Sequence, residues 1–316
     1  MRIRTGRSAG LVCLLLLATA SLAGSAPQIA PPNVHARLML LHQELELIRY
    51  EMGKPRPLEW RARIAGVAPR EVYFQALTLF RKANRLSFEH TREIVDELPR
   101  PDGEIEPADV LAVVENALDR IWRVKEELGI SRAIAQEVPD PSKTPDDVII
   151  ATMRASQQLN MLLDQPFSPA EVYEQLTLAI GYAARLRARF PGDRIPETPP
   201  FESGKVPSDV YRKLLDCFAI IQRIAETSNL SMLNLEVDEG NLATATPSDV
   251  YDVATLLVSE LAYLWEHLDD VLPPRPAYYP GRRFPSHVYQ RALLLERQLA
   301  ELDQLVDSRP AWLNPS

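Results

Sequence analysis

The chain has 316 residues, of which 46% are hydrophobic and 25% are charged, a balance that is ordinary for a soluble globular protein. Its net charge of −8 argues against binding to nucleic acid or to anionic membranes, because both require clustered lysine and arginine. The 27 prolines against only 12 glycines predict frequently interrupted elements or stiff extended connectors.

The N-terminus has the order of regions that is typical of a secretory signal peptide. Arg2, Arg4 and Arg7 precede the apolar run LVCLLLLATASLAG, and small residues follow in SLAGSA. We therefore predict a signal peptide over residues 1–23, with cleavage as late as residue 26 as the alternative. The run is too short to span a bilayer, and no later stretch reaches transmembrane length. We expect export, to the periplasm of a Gram-negative bacterium, without membrane insertion after cleavage.

Removal of the predicted signal peptide changes the charge and the cysteine content. The segment contains three arginines and no acid, so the mature chain is three units more negative than the precursor. Cys13 lies in the apolar run after Val12 rather than after a small residue, which argues against a lipoprotein anchor. Cys217 is then the one remaining cysteine, so an internal disulfide is impossible and core packing must supply the stability.

A short proline-led motif recurs along the chain. Four copies read Pro-x-Asp/Glu-Val-Tyr, and four looser copies keep the proline and the valine. The intervals between successive prolines are 38, 38, 38, 24, 38, 40 and 38 residues. The short interval divides the chain into two tandem four-helix modules, 31–168 and 169–316. The eight prolines are Pro31, Pro69, Pro107, Pro145, Pro169, Pro207, Pro247 and Pro285.

Each motif opens a segment with helical periodicity. In the seventh unit Val250, Ala254, Leu257, Leu261 and Leu264 are spaced by four, three, four and three residues. This spacing places one apolar seam along a helix, and the first, third and sixth units show the same offsets. We therefore predict an all-α fold of eight repeated helices, each about 18 to 22 residues or roughly 30 Å long.

The stretch TPSDVYDV at 246–253 has the composition of a helix start. Proline is tolerated at the first helical position, and Thr246 is a suitable N-cap residue. Asp249 is placed to accept a hydrogen bond from the Thr246 backbone, which completes a capping box. Asn33 and His287 occupy the acid's position in two units, so no shared catalytic chemistry is expected. The same pairing is predicted for Ser168 with Glu171 and for Thr144 with Asp147.

A tyrosine follows the motif valine in five units. We expect these rings to be partly buried at one end of a bundle, with their hydroxyl groups near the surface. The alternative is a row of tyrosines that lines a binding surface. The five residues are Tyr73, Tyr173, Tyr211, Tyr251 and Tyr289.

The connectors between the predicted helices are long, at about 16 to 20 residues. FPGDRIPETPPFESGKV and PPRPAYYPGRRF are rich in proline, which predicts extended structure. HTREIVDEL (90–98) and ISRAIAQEV (130–138) are instead each compatible with a short helix.

Connector length bears on the direction of the helices. Sixteen extended residues reach about 53 Å, enough to return to the starting end of a helix, so the helices of one module are able to run parallel. The alternative is an antiparallel bundle with long surface loops. Between the fourth and fifth helices only DQPFS (164–168) intervenes. This short turn predicts two antiparallel helices and modules related by a pseudo-two-fold axis.

The sequence gives little support for catalysis or for a bound metal. The five histidines are widely spread, and neither HExxH nor CxxCH occurs. GxSxG, Walker and GxGxxG motifs are also missing. Cys217 falls on an apolar seam position, which predicts a buried, unreactive thiol. We therefore expect no catalytic residues, no metal and no cofactor.

The last connector carries the most distinctive local cluster, formed by Tyr278, Tyr279, Arg282 and Arg283. Guanidinium groups beside aromatic rings are suited to anionic groups or to a partner's carboxylate. These four are therefore candidate ligand- or partner-binding residues. The alternative is a proline-stiffened strap whose tyrosines pack on the helices.

Repeated helices without a repeated catalytic constellation form extended surfaces that suit protein or peptide partners. We therefore expect an exported, non-catalytic helical-repeat scaffold that binds a protein or a peptide. The alternative is an enzyme or a small-ligand receptor with a site in the cleft between the two modules. A scaffold should expose a continuous apolar or tyrosine-rich patch, whereas an enzyme should have a pocket with converging titratable groups and shifted pKa values.

Overall fold

A computed structural model of the chain describes residues 28–56, 62–192, 196–268, 272–276, 278, 281–310 and 312–313. Within these ranges the fold is all-α, with nine helices and two short strands, and the predicted fold class is confirmed. None of the described helices is both long and apolar enough to cross a membrane. The predicted signal peptide lies outside the described residues. The elements are α1 Pro31–Glu51, β1 Ala62–Ala65, α2 Pro69–Thr91, α3 Pro107–Glu127, α4 Pro145–Leu162, α5 Pro169–Arg187, α6 Pro207–Thr227, β2 Asn234–Val237, α7 Glu239–Ala243, α8 Pro247–Glu266 and α9 Pro285–Ser308.

Each of the eight long helices begins at a motif proline, and its third residue caps the helix. The Thr246 backbone N–H donates to Asp249 Oδ2 at 2.8 Å, and the Asp249 N–H donates back to the Thr246 hydroxyl at 3.4 Å. The alanine before α2 has no side-chain acceptor, so only the bond from its N–H to Glu71 forms there, at 2.8 Å. Asn33 Oδ1 and His287 Nδ1 accept the equivalent bonds in α1 and α9. The motif is therefore a helix-start device, as predicted.

The helices form two groups in which all the starts lie together. The prolines and valines of α1, α2, α3 and α4 line one small cavity of about 20 Å³. Those of α5, α6, α8 and α9 line another of about 10 Å³. The four helices of each group therefore run parallel, which is the first of the two predicted arrangements. We call the groups the first bundle and the second bundle. In each, the first and second long helices both pack on the third and fourth.

Parallel packing concentrates helix dipoles. Each helix start carries about half a positive charge, so four adjacent starts repel one another. A carboxylate at the third position opposes this charge in three helices of each bundle, the exceptions being Asn33 and His287. The capping residues therefore also make the parallel arrangement electrostatically tolerable.

The motif valines open the hydrophobic core. All eight are at most 2% exposed, and burying such a side chain contributes about 1.5 to 3 kcal/mol. Cys217 is also fully buried, as predicted, and burial raises the pKa of its thiol far above the usual range. Tyr73, Tyr211 and Tyr251 are buried more deeply than expected, at 1%, 4% and 5% exposed. The valines are Val34, Val72, Val110, Val148, Val172, Val210, Val250 and Val288.

The connectors are extended, and the two short helices compatible with the sequence are not formed. After α2 the chain has no helix over 92–106, and after α3 it has none over 130–144, both of which are fully described. In the first case the Asn84 amide explains the result. Its Nδ2 donates to the Val95 carbonyl at 2.8 Å, and the Val95 N–H donates to its Oδ1 at 3.2 Å. Both backbone groups of Val95 are thus unavailable to a helix.

The two bundles run antiparallel to each other. Lys82 of α2 pairs with Asp252 of α8, whereas Arg70, nearer the start of α2, pairs with Glu260, nearer the end of α8. The contact joins the second helix of one bundle to the third helix of the other. A two-fold axis that exchanged equivalent helices would also pack α3 against α6. These two helices form no comparable contact among the described residues, so the predicted pseudo-two-fold relation is wrong although the antiparallel direction is right.

A two-stranded antiparallel sheet links the connectors of the two bundles. β1 pairs with β2, so that Arg63 lies opposite Glu236 and Ile64 lies opposite Leu235. Neither the strands nor α7 was predicted. They lie in connectors whose short elements lack the periodicity of the repeat.

Candidate functional site

The contact between the bundles is polar and closed to solvent. On α2 the residues Glu71, Gln75, Thr78 and Lys82 are spaced by four, three and four, and each is at most 1% exposed. They form a second seam on the helix, beside the apolar one. Asp252, Thr255 and Glu260 of α8 are at most 7% exposed and belong to the same contact. Desolvation of so many polar groups makes their mutual pairing essential.

Lys82 and Asp252 form the central ion pair of this contact. The Lys82 Nζ lies 2.5 Å from Asp252 Oδ1. Burial nevertheless raises the pKa of Asp252 to about 6, because the ammonium group offsets only part of the desolvation of the carboxylate. Removal of either group would therefore leave the other buried without its opposite charge.

Arg70 joins two further carboxyl groups at the other end of the contact. Its guanidinium binds both Glu71 and Glu260 and lies 3.3 Å from the centre of the Tyr263 ring. Burial raises the pKa of both carboxyl groups, and that of Glu260 reaches about 8. Glu71 is 1% exposed and Glu260 is fully buried. These shifted groups are sealed inside the contact, where a substrate does not reach them.

A cleft of about 610 Å³ opens beside this contact, between the bundles. Its volume is within the range of ligand sites, about 300 to 1,000 Å³. The first bundle and its connector supply most of the wall, and the chain entering α5 together with α8 supplies the rest. We call it the inter-bundle cleft. It is lined by Phe80, Arg81, Asn84, Arg85, Phe88, Ile94, Val95, Asp96, Glu97, Phe167, Glu171 and Tyr251.

An aromatic stack forms the inner wall of the cleft. The ring of Phe167 stacks on that of Tyr251, with 4.1 Å between their centres. The Arg85 guanidinium lies 3.9 Å from the centre of the Phe167 ring. Phe167 comes from the turn between α4 and α5, and Tyr251 is a motif tyrosine of α8. The stack therefore fixes both bundles at one face of the cleft.

Two arginines of α2 carry the charge of the cleft. Arg81 binds Glu97 through two hydrogen bonds, of 2.6 and 3.0 Å, and Arg85 pairs with Glu171. All four side chains are between 29% and 40% exposed. Exposed pairs of this kind contribute only about 0.2 to 1 kcal/mol. Both ion pairs therefore contribute little to the stability of the fold.

The rim of the cleft carries exposed apolar side chains. Phe88 is 42% exposed, Val95 37% and Ile94 74%, and Leu98, 39% exposed, follows on the same connector. Solvent-exposed aliphatic and aromatic side chains that adjoin one another mark a surface for a partner.

A second, more polar cleft of about 810 Å³ lies between α1, α4 and the connector after α3. His42 lies in its wall, with Nδ1 2.6 Å from Gln158 Oε1 and Nε2 2.9 Å from the Ala151 carbonyl oxygen. Burial lowers the pKa of His42. Because both ring nitrogens are already engaged, His42 is a packing residue, and this cleft is the weaker candidate.

Of the four residues singled out in the last connector, Tyr278, Arg282 and Arg283 line neither cleft. Tyr278 is 80% exposed and Arg282 is also exposed. The Arg283 guanidinium lies 4.8 Å from the centre of the Tyr173 ring on α5, and Arg291 of α9 lies 4.7 Å from it. Tyr279 lies outside the described residues. A binding role for the four stays a prediction.

The residues of the inter-bundle cleft were not predicted from the sequence, although one sequence signal pointed to α2. The polar residues of α2 recur at helical spacing, beside the apolar seam, which indicates a helix that is covered on both faces. The connector residues 93–98 alternate acidic and aliphatic side chains only loosely. Among the described residues, no group of three or more histidine, cysteine or acidic side chains is arranged to hold a metal.

Comparisons with known proteins identify no relative of this chain. A scan of protein-family models, a search of curated proteins and a search of solved structures each find no match to this chain.

Proposed function

We propose that the protein is a non-catalytic binding protein whose inter-bundle cleft holds an extended segment of a protein or peptide partner. The observation that carries this proposal is the exposed apolar rim, above all Ile94 at 74% exposure, beside a cleft of about 610 Å³. An aliphatic side chain left in water gains free energy when a partner covers it. The adjacent arginines supply polar contacts that fix the partner's direction.

The positions of the two carboxyl groups with markedly raised pKa values favour binding over catalysis. The carboxyl groups whose pKa values rise to about 6 and about 8, Asp252 and Glu260, are at most 5% exposed and lie inside the contact between the bundles. Their protonation therefore changes the stability of that contact. An enzyme or a small-ligand receptor, the alternative function, places such groups where the ligand binds.

We further propose that the protein acts after export, in the periplasm of a Gram-negative bacterium. The support is the order of basic, apolar and small residues over 1–23. The single cysteine that would remain, Cys217, needs no partner in an oxidising compartment because it is buried.

Partner capture with matched variants tests the proposed function. Wild-type protein, Ile94→Asp and Tyr50→Asp serve as baits for a periplasmic extract of the native host, with quantitative mass spectrometry as the readout. Tyr50 is the matched control, since it is 78% exposed on α1 and away from the cleft. We expect one stoichiometric partner with wild type and Tyr50→Asp and its loss with Ile94→Asp. A co-purified small molecule with no protein partner would instead support the alternative.

A further inference from the structure

The connectors after the second helix of each bundle are held in the same way. Asn84 and Gln222 both stand fifteen residues after their motif proline, and Val95 and Leu233 both stand twenty-six after it. Asn84 Nδ2 donates to the Val95 carbonyl at 2.8 Å, and Gln222 Nε2 donates to the Leu233 carbonyl at 2.7 Å. The two connectors therefore occupy equivalent places on the two bundles.

After this shared side-chain-to-backbone hydrogen bond the two connectors differ. After Leu233 the chain forms β2, which is paired with β1 along its length. The equivalent residues after Val95 follow the same extended course but have no strand partner among the described residues. One bundle thus shows this connector as a paired strand, and the other shows it unpaired.

The unpaired connector presents an open backbone edge. In an extended chain, successive residues direct their backbone N–H and C=O groups to opposite sides. The groups of Val95 point to Asn84, so those of Ile94 and Asp96 point away from α2. Within the described part of the chain, the backbone groups of Ile94 and Asp96 have no hydrogen-bond partner. Exposed edges of this kind are templates for an added strand.

The charge of the edge specifies what pairs with it. Glu93, Asp96 and Glu97 lie within five residues, and Arg81 neutralises only Glu97. A second copy of the chain that paired through the same residues, 93–98, would place acids against acids, which is unfavourable. The chain's own paired strand carries a basic residue opposite an acid, Arg63 opposite Glu236.

We infer that the partner adds as a β-strand to residues 93–98, through a segment in which basic and aliphatic residues alternate. Its backbone pairs with Ile94 and Asp96 at the rim of the inter-bundle cleft. Its aliphatic side chains lie on the same face as Ile94 and cover it, and its basic side chains lie on the opposite face, beside Glu93 and Glu97. This inference rests on the proposed function, to which it adds the mode of binding and the chemistry of the partner.

The test uses a capped synthetic peptide with the sequence of residues 61–67, RARIAGV, titrated into the full-length protein by calorimetry. In the intact protein β1 stays paired with β2 when the peptide is added. Because β1 is tethered to the same chain, it competes with the peptide at a high effective concentration. A peptide with both arginines replaced by glutamate tests charge. A peptide methylated on the backbone nitrogen of its isoleucine tests strand pairing without any change to the protein.

Two protein variants complete the design. Asp96→Pro removes an edge N–H, and Val138→Pro is the matched control in another connector, where Val138 is 90% exposed. We expect wild type and Val138→Pro to bind RARIAGV equally. We expect Asp96→Pro, the acidic peptide and the methylated peptide each to weaken binding by about tenfold or more.

The outcomes separate this inference from the proposed function. Equal binding to Asp96→Pro, or equal binding by the acidic or methylated peptide, overturns strand addition but leaves the capture result standing. Absence of RARIAGV binding to wild type also overturns it. A wild-type dimer that becomes monomeric in Asp96→Pro, measured by light scattering, identifies a second copy as the occupant and overturns it likewise. Loss of binding with Ile94→Asp alone leaves the cleft as the site without strand pairing.

Discussion

Replacement of Lys82 by methionine tests the physical basis of the contact between the bundles. Lys82 is fully buried, and Asp252 is 5% exposed. Removal of the ammonium group leaves a buried carboxylate without its partner, which costs about 3 to 5 kcal/mol. We expect Lys82→Met to lose this much of the free energy of unfolding at pH 8.

The pKa of Asp252 sets the pH dependence of that loss. In the folded protein it is raised to about 6, against about 3.9 in the unfolded chain, and two units correspond to about 3 kcal/mol. Because the pKa is raised in the folded protein, Asp252 contributes this free energy to stability below about pH 4, and the contribution is lost as the pH rises through 6. At pH 5 the carboxyl group in Lys82→Met takes up a proton. We therefore expect a smaller loss at pH 5 than at pH 8.

A double variant and a surface pair serve as controls. Lys82→Met combined with Asp252→Leu removes both charges, so we expect its stability to recover to within about 1 kcal/mol of wild type or to exceed it. Arg123→Met breaks an exposed pair with Glu126, whose side chains are 57% and 75% exposed, and should change stability by less than about 1 kcal/mol.

The assay is urea-induced unfolding followed by far-UV circular dichroism at pH 5 and at pH 8, with linear extrapolation to water. Equal losses in the single and the double variant, or a loss in Lys82→Met that does not depend on pH, would refute the reasoning. Either result would mean that Lys82 does not offset the buried charge of Asp252.

Three further changes test other parts of the fold by the same unfolding assay. Burial raises the pKa of Glu260 to about 8. Its contribution to the free energy of unfolding is therefore present below about pH 4 and is lost as the pH rises through 8. Glu260→Gln should therefore flatten the pH dependence between 5 and 9, and an unchanged slope would contradict this. The hydrogen bond from the Thr144 backbone lowers the pKa of Asp147, so its contribution is present above about pH 4 and is lost in acid. Asp147→Ala should cost about 0.5 to 2 kcal/mol at pH 7 and less at pH 3, and an equal cost at both would argue against the cap. Leu257→Ala should cost about 2 to 5 kcal/mol because Leu257 is fully buried, whereas Leu272→Ala, at 82% exposure, should change little.

The helices were predictable because their signals are local. The residue at the third helical position and the valine after it lie within one turn of the proline, so their spacing alone determines the cap and the start of the core. His287 shows that the position, rather than the charge, matters there, since its Nδ1 accepts the capping bond. The parallel direction was one of the two arrangements that a local quantity, the length of the connectors, left open.

The residues that line the cleft were not predictable because they are brought together by contacts between distant parts of the chain. Residues 92–98 have a composition that is compatible with a helix, and Asn84, eleven residues before Val95, holds them extended instead. The pairing of Lys82 with Asp252 joins residues 170 positions apart. The prediction of a pseudo-two-fold failed for the same reason, since the repeat does not specify which helices of the two bundles meet.

Hydrogen–deuterium exchange with and without the RARIAGV peptide tests the binding site most directly. We expect slower exchange of backbone amides in 93–98 and in 163–171, which border the inter-bundle cleft, and unchanged exchange around Arg282 and Arg283. Protection confined to the last connector, with none at 93–98, would contradict the assignment of the cleft as the binding surface.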